Sequence, residues 1–403
     1  MRKGVKVSIS KHIRILIGFL VVCCAVFSAT LVVSASSQPV ISAENVNRLA
    51  KIGTLKALRL PDGWSPDGSL AAYLTNDSLA IYQMPTYQLF ATVPMQLPPI
   101  WERILQMVRL SPNNRYIAFK FWKSKVTILD IQLKATTYLT CSDNGDFAFS
   151  PDSTLIACDL TEKGTLIWDL QTARQKNIFP HSVTTYGNVE FSPNGKMLLS
   201  TSGDGLLSVW DLRSQTLLFK RECCGSDAGL SAALFTQDSS MVILQDTEST
   251  SNPKTGTRYE MILHALSLQA GIEQSSVDSD SYFYIEPSLL AHHAPILFIG
   301  DAAIYTASSQ EVRVLNLHTM KVQLWVRRPF SWLKEIMDVS PDGHLLVLAT
   351  YDTQGEIWDT VGDKRLLLWS DIKDFNGVRF SPDGTYILAQ HGKDIEIWGI
   401  PIQ

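Results

Sequence analysis

The sequence predicts an all-β fold made of repeated four-stranded antiparallel units. Three observations carry this. Ser-Pro-Asp-Gly, or a near copy, begins at Ser65, Ser111, Ser150, Ser192, Ser340 and Ser381, with a decayed copy at Thr236-Gln237-Asp238-Ser239. A spacing of about forty residues is a repeat period. A second landmark follows at fixed distance: the Asp of Trp168-Asp169, Trp210-Asp211, Trp358-Asp359 and Leu129-Asp130 lies nineteen residues after its turn Ser. Short apolar runs such as Met197-Leu198-Leu199 follow the turns, and alternation as in Val189-Glu190-Phe191 precedes them. Runs of this kind between turn signals read as strands.

Each element has a local cause. Pro after Ser presets φ at about −65°, and Gly or Asn in fourth place tolerates positive φ. That is tight-turn chemistry between two strands. A turn, a strand, a second turn and a strand ending in Trp-Asp describe one blade of a β-propeller. Over roughly residues 40–402 the chain resembles the WD40 repeat family, in the bacterial style marked by Ser-Pro-Asp-Gly. Eight units can be placed, with turn residues near Ser65, Ser111, Ser150, Ser192, Thr236, Gly300, Ser340 and Ser381. The sixth lacks the tetrapeptide and rests on strand-like runs at 296–299, 303–305 and 312–315. The expectation is an eight-bladed WD40-type propeller, or a seven-bladed one if the fifth and sixth units merge. The last unit stops after its third strand. Residues 51–57 are therefore expected to pair with it and close the ring, after a short helix through Leu49 with Ser42 as its cap.

The organisation reads as 1–35 signal peptide or signal anchor, 36–50 linker and short helix, and 51–403 propeller. Arg2, Lys3, Lys6, Lys11 and Arg14 precede a nineteen-residue uncharged stretch from Ile15 to Val33. Small residues at Val33-Ser34-Ala35 offer a cleavage site. Both cleavage and retention export the propeller, so the chain is expected to be secreted or tethered to the membrane through this segment alone. Residues 36–403 carry a net charge of −9 and no basic run longer than Arg327-Arg328. Nucleic-acid binding therefore lacks its electrostatic footprint. Of the cysteines, Cys141, Cys158, Cys223 and Cys224 follow the leader. If Cys141 continues an extended strand it lies about 15 Å beyond the partner of Cys158. Spacing thus predicts buried or free thiols, with a strained Cys223–Cys224 bridge as the alternative.

Catalytic signals are few. Gly-x-Ser-x-Gly, a phosphate-binding Gly-rich loop and His-Glu-x-x-His are all missing from the sequence. No enzyme activity, cofactor or metal is expected. In the fourth unit His181, Ser200, Asp204 and Trp210 stand near the positions of the hydrogen-bond tetrad that the resemblance implies, a structural lock rather than a hydrolase site. His292-His293 reads as a structural or solvent-facing pair. Asp278-Ser279-Asp280 lacks the Gly that a calcium loop needs.

Binding signals are stronger. In the resembled family the loops entering the first strand and those joining the second and third strands share one rim. Trp101, Trp122, Tyr186, Tyr282, Tyr284 and Trp332 fall there, and exposed aromatics suit a binding surface. The fifth unit runs long at 246–258, a Ser-, Thr-, Asn-, Pro- and Gly-rich stretch that reads as a loop. The function expected is an extracytoplasmic, monomeric scaffold for a protein or peptide partner. The alternative is a small-ligand receptor or enzyme acting at the central channel, favoured if carboxylates or histidines converge there.

Overall fold

The computed structural model describes residues 38–402 except 57–59, 76–77, 95–104, 144, 161–162, 181–186, 203–204, 223–231, 253–255, 269–271, 278–296, 300–301, 309–310, 317–320, 328–335, 350–354, 370–374 and 393. Contacts divide the chain into 1–39 with 402–403, and 40–401. Everything below concerns the second unit. The leader at 1–35 lies outside the described residues. Among those described, no helix is long and apolar enough to cross a membrane.

The described residues form eight four-stranded antiparallel sheets, seven of them hydrogen-bonded in sequence order. The first sheet runs Gly63–Trp64, Leu70–Leu74, Ser78–Gln83 and Gln88–Pro94. The second starts at Leu105–Leu110, the third at Phe147–Phe149, the fourth at Val189–Phe191 and the fifth at Ala232–Phe235. Leu297–Ile299, Ala302–Ser308, Glu311–Asn316 and Lys321–Arg327 make a separate sixth sheet. The seventh starts at Ile336–Val339. The eighth runs Phe375–Phe380, Tyr386–His391 and Asp394–Gly399, and Ala50–Lys56 supplies its fourth strand, from Ala50↔Gly399 to Lys56↔Asp394. First strands of neighbouring sheets pack against one another, so they form the inner wall.

The apolar clusters lie between sheets. Val108, Leu110, Ile117 and Phe119 of the second sheet meet Leu70, Ala72, Leu79 and Ile81 of the first. Leu345, Val347 and Trp369 of the seventh meet Phe380, Ile387 and Trp398 of the eighth. Ile41 and Val46 complete that last seam, both almost fully buried. Burying side chains of this size contributes about 1.5–3 kcal/mol each. The predicted helix before the closing strand is a single 3-10 turn, Val46–Arg48, and Asn45, not Ser42, precedes it. The Ser42 side chain makes no cap; its N–H donates to Asn45 Oδ1 at 2.9 Å. Three residues are all that fit before the chain enters the sheet.

The repeated turns share one geometry. Ser65 Oγ donates to Asp67 Oδ1 at 2.6 Å and accepts the Leu70 N–H at 2.8 Å, while the Gly68 N–H closes the turn on Ser65 O at 2.9 Å. Matching bonds run from Ser111, Ser150, Ser192, Ser340 and Ser381, and from Thr236 to Asp238. The decayed copy works because it keeps a hydroxyl first and a carboxylate third. The Asp of Trp-Asp has a similar duty: Asp211 Oδ1 accepts the N–H groups of Arg213 at 2.9 Å and Ser214 at 2.6 Å. Both landmarks therefore cap turns at one rim.

Cys141 and Cys158 form a disulfide, with Cα atoms 6.0 Å apart, so the free-thiol expectation for this pair is corrected. Ser142 and Gly145 do not continue an extended strand. The Ser142 N–H donates to Asp159 O at 2.7 Å and the Gly145 N–H to Ser142 O at 3.1 Å. This turn brings Cys141 back beside Cys158. Cys223 and Cys224 lie outside the described residues.

Candidate functional site

In a four-stranded meander, turns one-to-two and three-to-four sit at one end. Turn two-to-three and the crossing to the next sheet sit at the other. The Ser-Pro-Asp-Gly and Trp-Asp turns thus mark one rim, and Trp122 belongs to the opposite one. Trp122 stands in the two-to-three turn between Tyr116–Phe121 and Val126–Asp130. It is 38% exposed, and Lys123 Nζ lies 4.3 Å from its ring centroid. Cation and ring make a half-wet pair of the kind recognition surfaces use. Trp101, Tyr186, Tyr282, Tyr284 and Trp332 lie outside the described residues.

The fifth sheet projects from the same rim. Its middle strands, Met241–Asn252 and Gly256–Ser267, have twelve residues each, where the second strands of the other sheets have five to seven. The first strand reaches only to Gln245 and the fourth only to Leu263. Seven further pairs, Asp246↔Ile262 to Asn252↔Gly256, continue as a two-stranded ribbon. At about 3.4 Å per residue this adds about 20 Å. The expected loop at 246–258 is corrected: 246–252 and 256–258 are strand. Thr247, Thr250, Thr257 and Tyr259 are good strand formers.

The inner wall carries charges that neither turn motif announces. Arg109, Glu190, Asp338 and Arg379 each stand two residues before a turn Ser. Arg109 Nη2 donates to Asp146 Oδ2 at 3.0 Å and Oδ1 at 3.3 Å, linking the second sheet to the third. Glu190 Oε2 accepts the Phe235 N–H at 3.3 Å, and Asn188 Nδ2 donates to Ala233 O at 3.0 Å. Together these two side chains of the fourth sheet serve the free edge of the fifth. Asp338 Oδ2 accepts the Phe380 N–H at 2.8 Å, so the seventh sheet serves the eighth in the same way. Burial pushes the carboxyl of Asp146 up to about 6, against the pull of Arg109. Burial likewise raises Glu190 to about 7 and Asp338 to about 6.

Beside the disulfide, Lys120 is almost wholly buried. Its Nζ donates to Ser142 O, and to Gly145 O at 2.9 Å. Burial pulls its pKa down, while Asp143, Asp146 and Asp159 oppose that. Asp159 Oδ1 accepts from Thr165 Oγ1 at 2.9 Å. Gly187 packs so close to Asp159 that an added Cβ would stand 1.8 Å from Oδ2. These groups are engaged in holding the second, third and fourth sheets together. No cluster among the described residues could hold a metal ion.

Of the expected tetrad, Ser200 and Trp210 sit buried on adjacent strands, their partners in the ladder being Ser208 and Leu198. Neither Ser200 Oγ nor Trp210 Nε1 has a hydrogen-bond partner among the described residues. Trp210 packs on Phe179 with ring centroids 5.2 Å apart. His181 and Asp204 lie outside the described residues, as do His292-His293 and 278–286. Sequence reasoning passed over Arg109, Lys120, Asp146 and Asp338. For Arg109 and Asp338 the usable signal was a charge at the alternate position of an inner strand.

Residues 175–211 match the WD domain, G-beta repeat family. The C-terminal WD40 domain of Sif2 superimposes with a TM-score of 0.57 at 15% identity, covering 88% of this chain and 99% of that one. The chain folds as a WD40-type propeller. Local sequence similarity extends to two curated relatives. The Taf5 subunit of the SAGA and TFIID complexes from Schizosaccharomyces pombe is 32% identical over 84 residues, 17% of this chain and 13% of that protein. Retinoblastoma-binding-like protein E from Dictyostelium discoideum is 32% identical over 77 residues, 19% of this chain and 15% of that protein. The propeller thus matches less than a sixth of the length of either relative.

Proposed function

We propose that this chain is an exported scaffold that binds a protein or peptide partner with the rim opposite the Ser-Pro-Asp-Gly turns. The observation that carries this reading is the ribbon of the fifth sheet. Fourteen residues paired beyond the blade add nothing to the wall of the propeller, yet they extend that rim by about 20 Å. Among the described residues both ribbon edges run past the ends of the flanking strands, an arrangement suited to receiving an extended peptide. Trp122 adds an exposed aromatic on the same rim. Rigid sheets would hold both at low ordering cost. The two curated relatives are named for assembly, one as a complex subunit and one as retinoblastoma-binding-like.

Export rests on the basic, then apolar, leader at 1–35, and the Cys141–Cys158 bridge supports it. Disulfides persist in oxidising compartments and are rare in reducing ones. The reading takes the protein as a monomer that meets the membrane only through its leader. The channel alternative has carboxylates at the inner wall in its favour, as Asp146, Glu190 and Asp338 show. Each, however, already serves an arginine or a backbone N–H of a neighbouring sheet. They are fastenings, and catalysis has no free acid–base pair in this set.

The test is crosslinking and pull-down of the tagged chain from envelope fractions. The comparison bait replaces 246–262 by an Asn-Gly turn and carries Trp122→Ala, with unfolding curves to show that it folds. Loss of the recovered partners from the second bait is expected. Recovery of the same partners by both baits would exclude this rim as the site.

A further inference from the structure

The outermost strand of each sheet is an edge, and a bare edge invites another strand. Two devices protect these edges. The first is a register shift against the neighbouring strand, which bends and twists the edge. Seven sheets have one, between Ile81 and Tyr82 in the first, Ile167 and Trp168 in the third, and Lys51 and Gly53 in the closing strand of the eighth, for example. The second device is charge. Six of the eight outer strands carry it, as Arg174 and Lys176 do in the third sheet. Among the described residues, the outer strand of the second sheet, Ala135–Leu139, alone lacks both devices.

That strand runs without a shift against Val126–Asp130, from Val126↔Leu139 to Asp130↔Ala135, and pairs with no other described strand. Thr136, Thr137 and Tyr138 are good strand formers. Tyr138 is 61% exposed, and Leu133, in the turn that leads into the strand, is 69% exposed. Tyr138 stands opposite Thr127, Thr127 opposite Phe119, and Phe119 packs into the seam with the first sheet. Residues opposite one another share a face, so Tyr138 belongs to the face turned to the first sheet. Across that seam lie Ala91 and Val93 of Gln88–Pro94, the other outer strand without a charge. Two charge-free strands thus border the outer end of one seam.

We propose that Ala135–Leu139 receives an extended, uncharged segment of a partner protein as a fifth strand of the second sheet. Backbone hydrogen bonds would hold the segment, and its alternate side chains would lie beside Tyr138 at the seam. The lack of charge sets the chemistry of the occupant, because a charged residue entering here meets no counter-charge on either bordering strand. A second copy of this chain suits the edge less. Residues 36–403 carry a net charge of −9, and a net charge far from zero keeps like molecules apart. The edge lies on the outer circumference and not on the ribbon rim, so it stands or falls independently of the site proposed above.

The probe is a dye-labelled peptide, Thr-Val-Thr-Val-Thr-Val-Thr, read by fluorescence anisotropy against the full chain. Two further peptides carry N-methyl groups on alternate amides, one set on the valines and one on the threonines. A strand added to an edge donates only from alternate amides. Binding of the parent peptide is therefore expected, weakened at least tenfold by one methyl set and little by the other. Thr136→Lys together with Tyr138→Lys should also weaken it at least tenfold. Gln175→Lys, on the already charged edge of the third sheet, should leave it unchanged. The methyl comparison uses the unaltered chain, so it stands even if the double variant fails to fold. No binding at millimolar peptide, equal effects of the two methyl sets, or full binding by a folded double variant overturns the proposal. A dimer of the full chain that the folded double variant abolishes assigns the edge to a second copy and overturns the partner segment.

Discussion

Two seams of this ring are fastened by different physics. Between the second and third sheets, Lys120, the Arg109–Asp146 pair and the Cys141–Cys158 bridge converge on one turn, 142–145. Between the seventh and eighth sheets the work falls to Ile41, Val46, Trp369 and Trp398, with the two tryptophan rings edge-on at 4.8 Å. The same repeat underlies both. The first seam is a polar lock whose members depend on one another, and losing one leaves charge or carbonyl buried without a partner. The second is an apolar strap whose cost of loss scales with the atoms removed. Where the chain ends meet, the strap suffices, because the closing strand also brings a full hydrogen-bonded ladder.

The largest predicted effect tests the polar lock. Lys120→Ala removes the cation from two carbonyls and from the field of Asp146 and Asp159. Breaking a buried charge set in this way costs about 3–5 kcal/mol. Urea unfolding should show it, and Lys120→Met should recover only the packing part. A loss below 1 kcal/mol would mean that water replaces the ammonium and that the lock is loose. The strap comes next. Ile41→Ala should cost about 2–4 kcal/mol through cavity formation, read in the same assay. Removing the whole segment 38–48 should cost more than Ile41→Ala alone, because Val46 goes with it.

The third prediction concerns pH and sets the inner-wall carboxyls against the rim carboxylates. Asp146, Glu190 and Asp338 have folded pKa values above their unfolded ones, at about 6, 7 and 6. The folded state then holds more protons than the unfolded state between about pH 4 and 7, so stability falls as pH rises through that window. With about 1.4 kcal/mol per pKa unit, Glu190 alone should contribute about 3 kcal/mol to the fall. Glu190→Gln should flatten that part of the slope, and a profile unchanged by Glu190→Gln would show the side chain to be solvated. Asp67, Asp152 and Asp211 behave oppositely. Burial works against ionisation at Asp67 and Asp152, yet turn hydrogen bonds hold all three below the usual range. Their contribution is present above about pH 4 and is lost as pH falls through the lowered values.

These outcomes follow how legible each part was. The turns were readable because every atom of their geometry lies within six residues, Ser65 to Leu70 being typical. The closing strand was readable because a sheet short of one strand demands another. The polar lock was not. It joins residues from separate repeats, and the period that orders the sequence says nothing of what one repeat presents to the next. Cys141 was misjudged for a related reason, since a four-residue turn undid the assumption of extended chain. The ribbon was seen as an insertion but read as a loop, because Ser and Thr count toward turns in composition and toward strands when a ladder already sets the register.

The smallest predicted effect returns to the turns and separates local strain from contact between sheets. The fourth turn position has positive φ in every copy described, whether it is Gly68, Gly195, Gly343 and Gly384 or Asn114, Ser153 and Ser239. The three non-glycine copies pay a backbone penalty of about 1 kcal/mol, and all three reach a neighbouring turn. Ser153 Oγ accepts the Asn113 N–H at 3.0 Å, Ser239 Oγ accepts the Asn194 N–H at 3.1 Å, and Asn114 Nδ2 donates to Asp67 Oδ2 at 2.7 Å. Each bond ties a sheet to the one before it and contributes about 1 kcal/mol. Ser239→Gly should therefore be nearly neutral in urea unfolding, within about 0.5 kcal/mol, the relief of φ offsetting the lost bond. Ser239→Ala keeps the strain and loses the bond, so it should cost about 1 kcal/mol more than Ser239→Gly. Gly195→Ala, where an added Cβ meets only Pro151 Cδ at 4.0 Å, isolates the strain alone. If Ser239→Ala leaves stability unchanged, the bridging bonds contribute nothing and the seams rest wholly on their interiors.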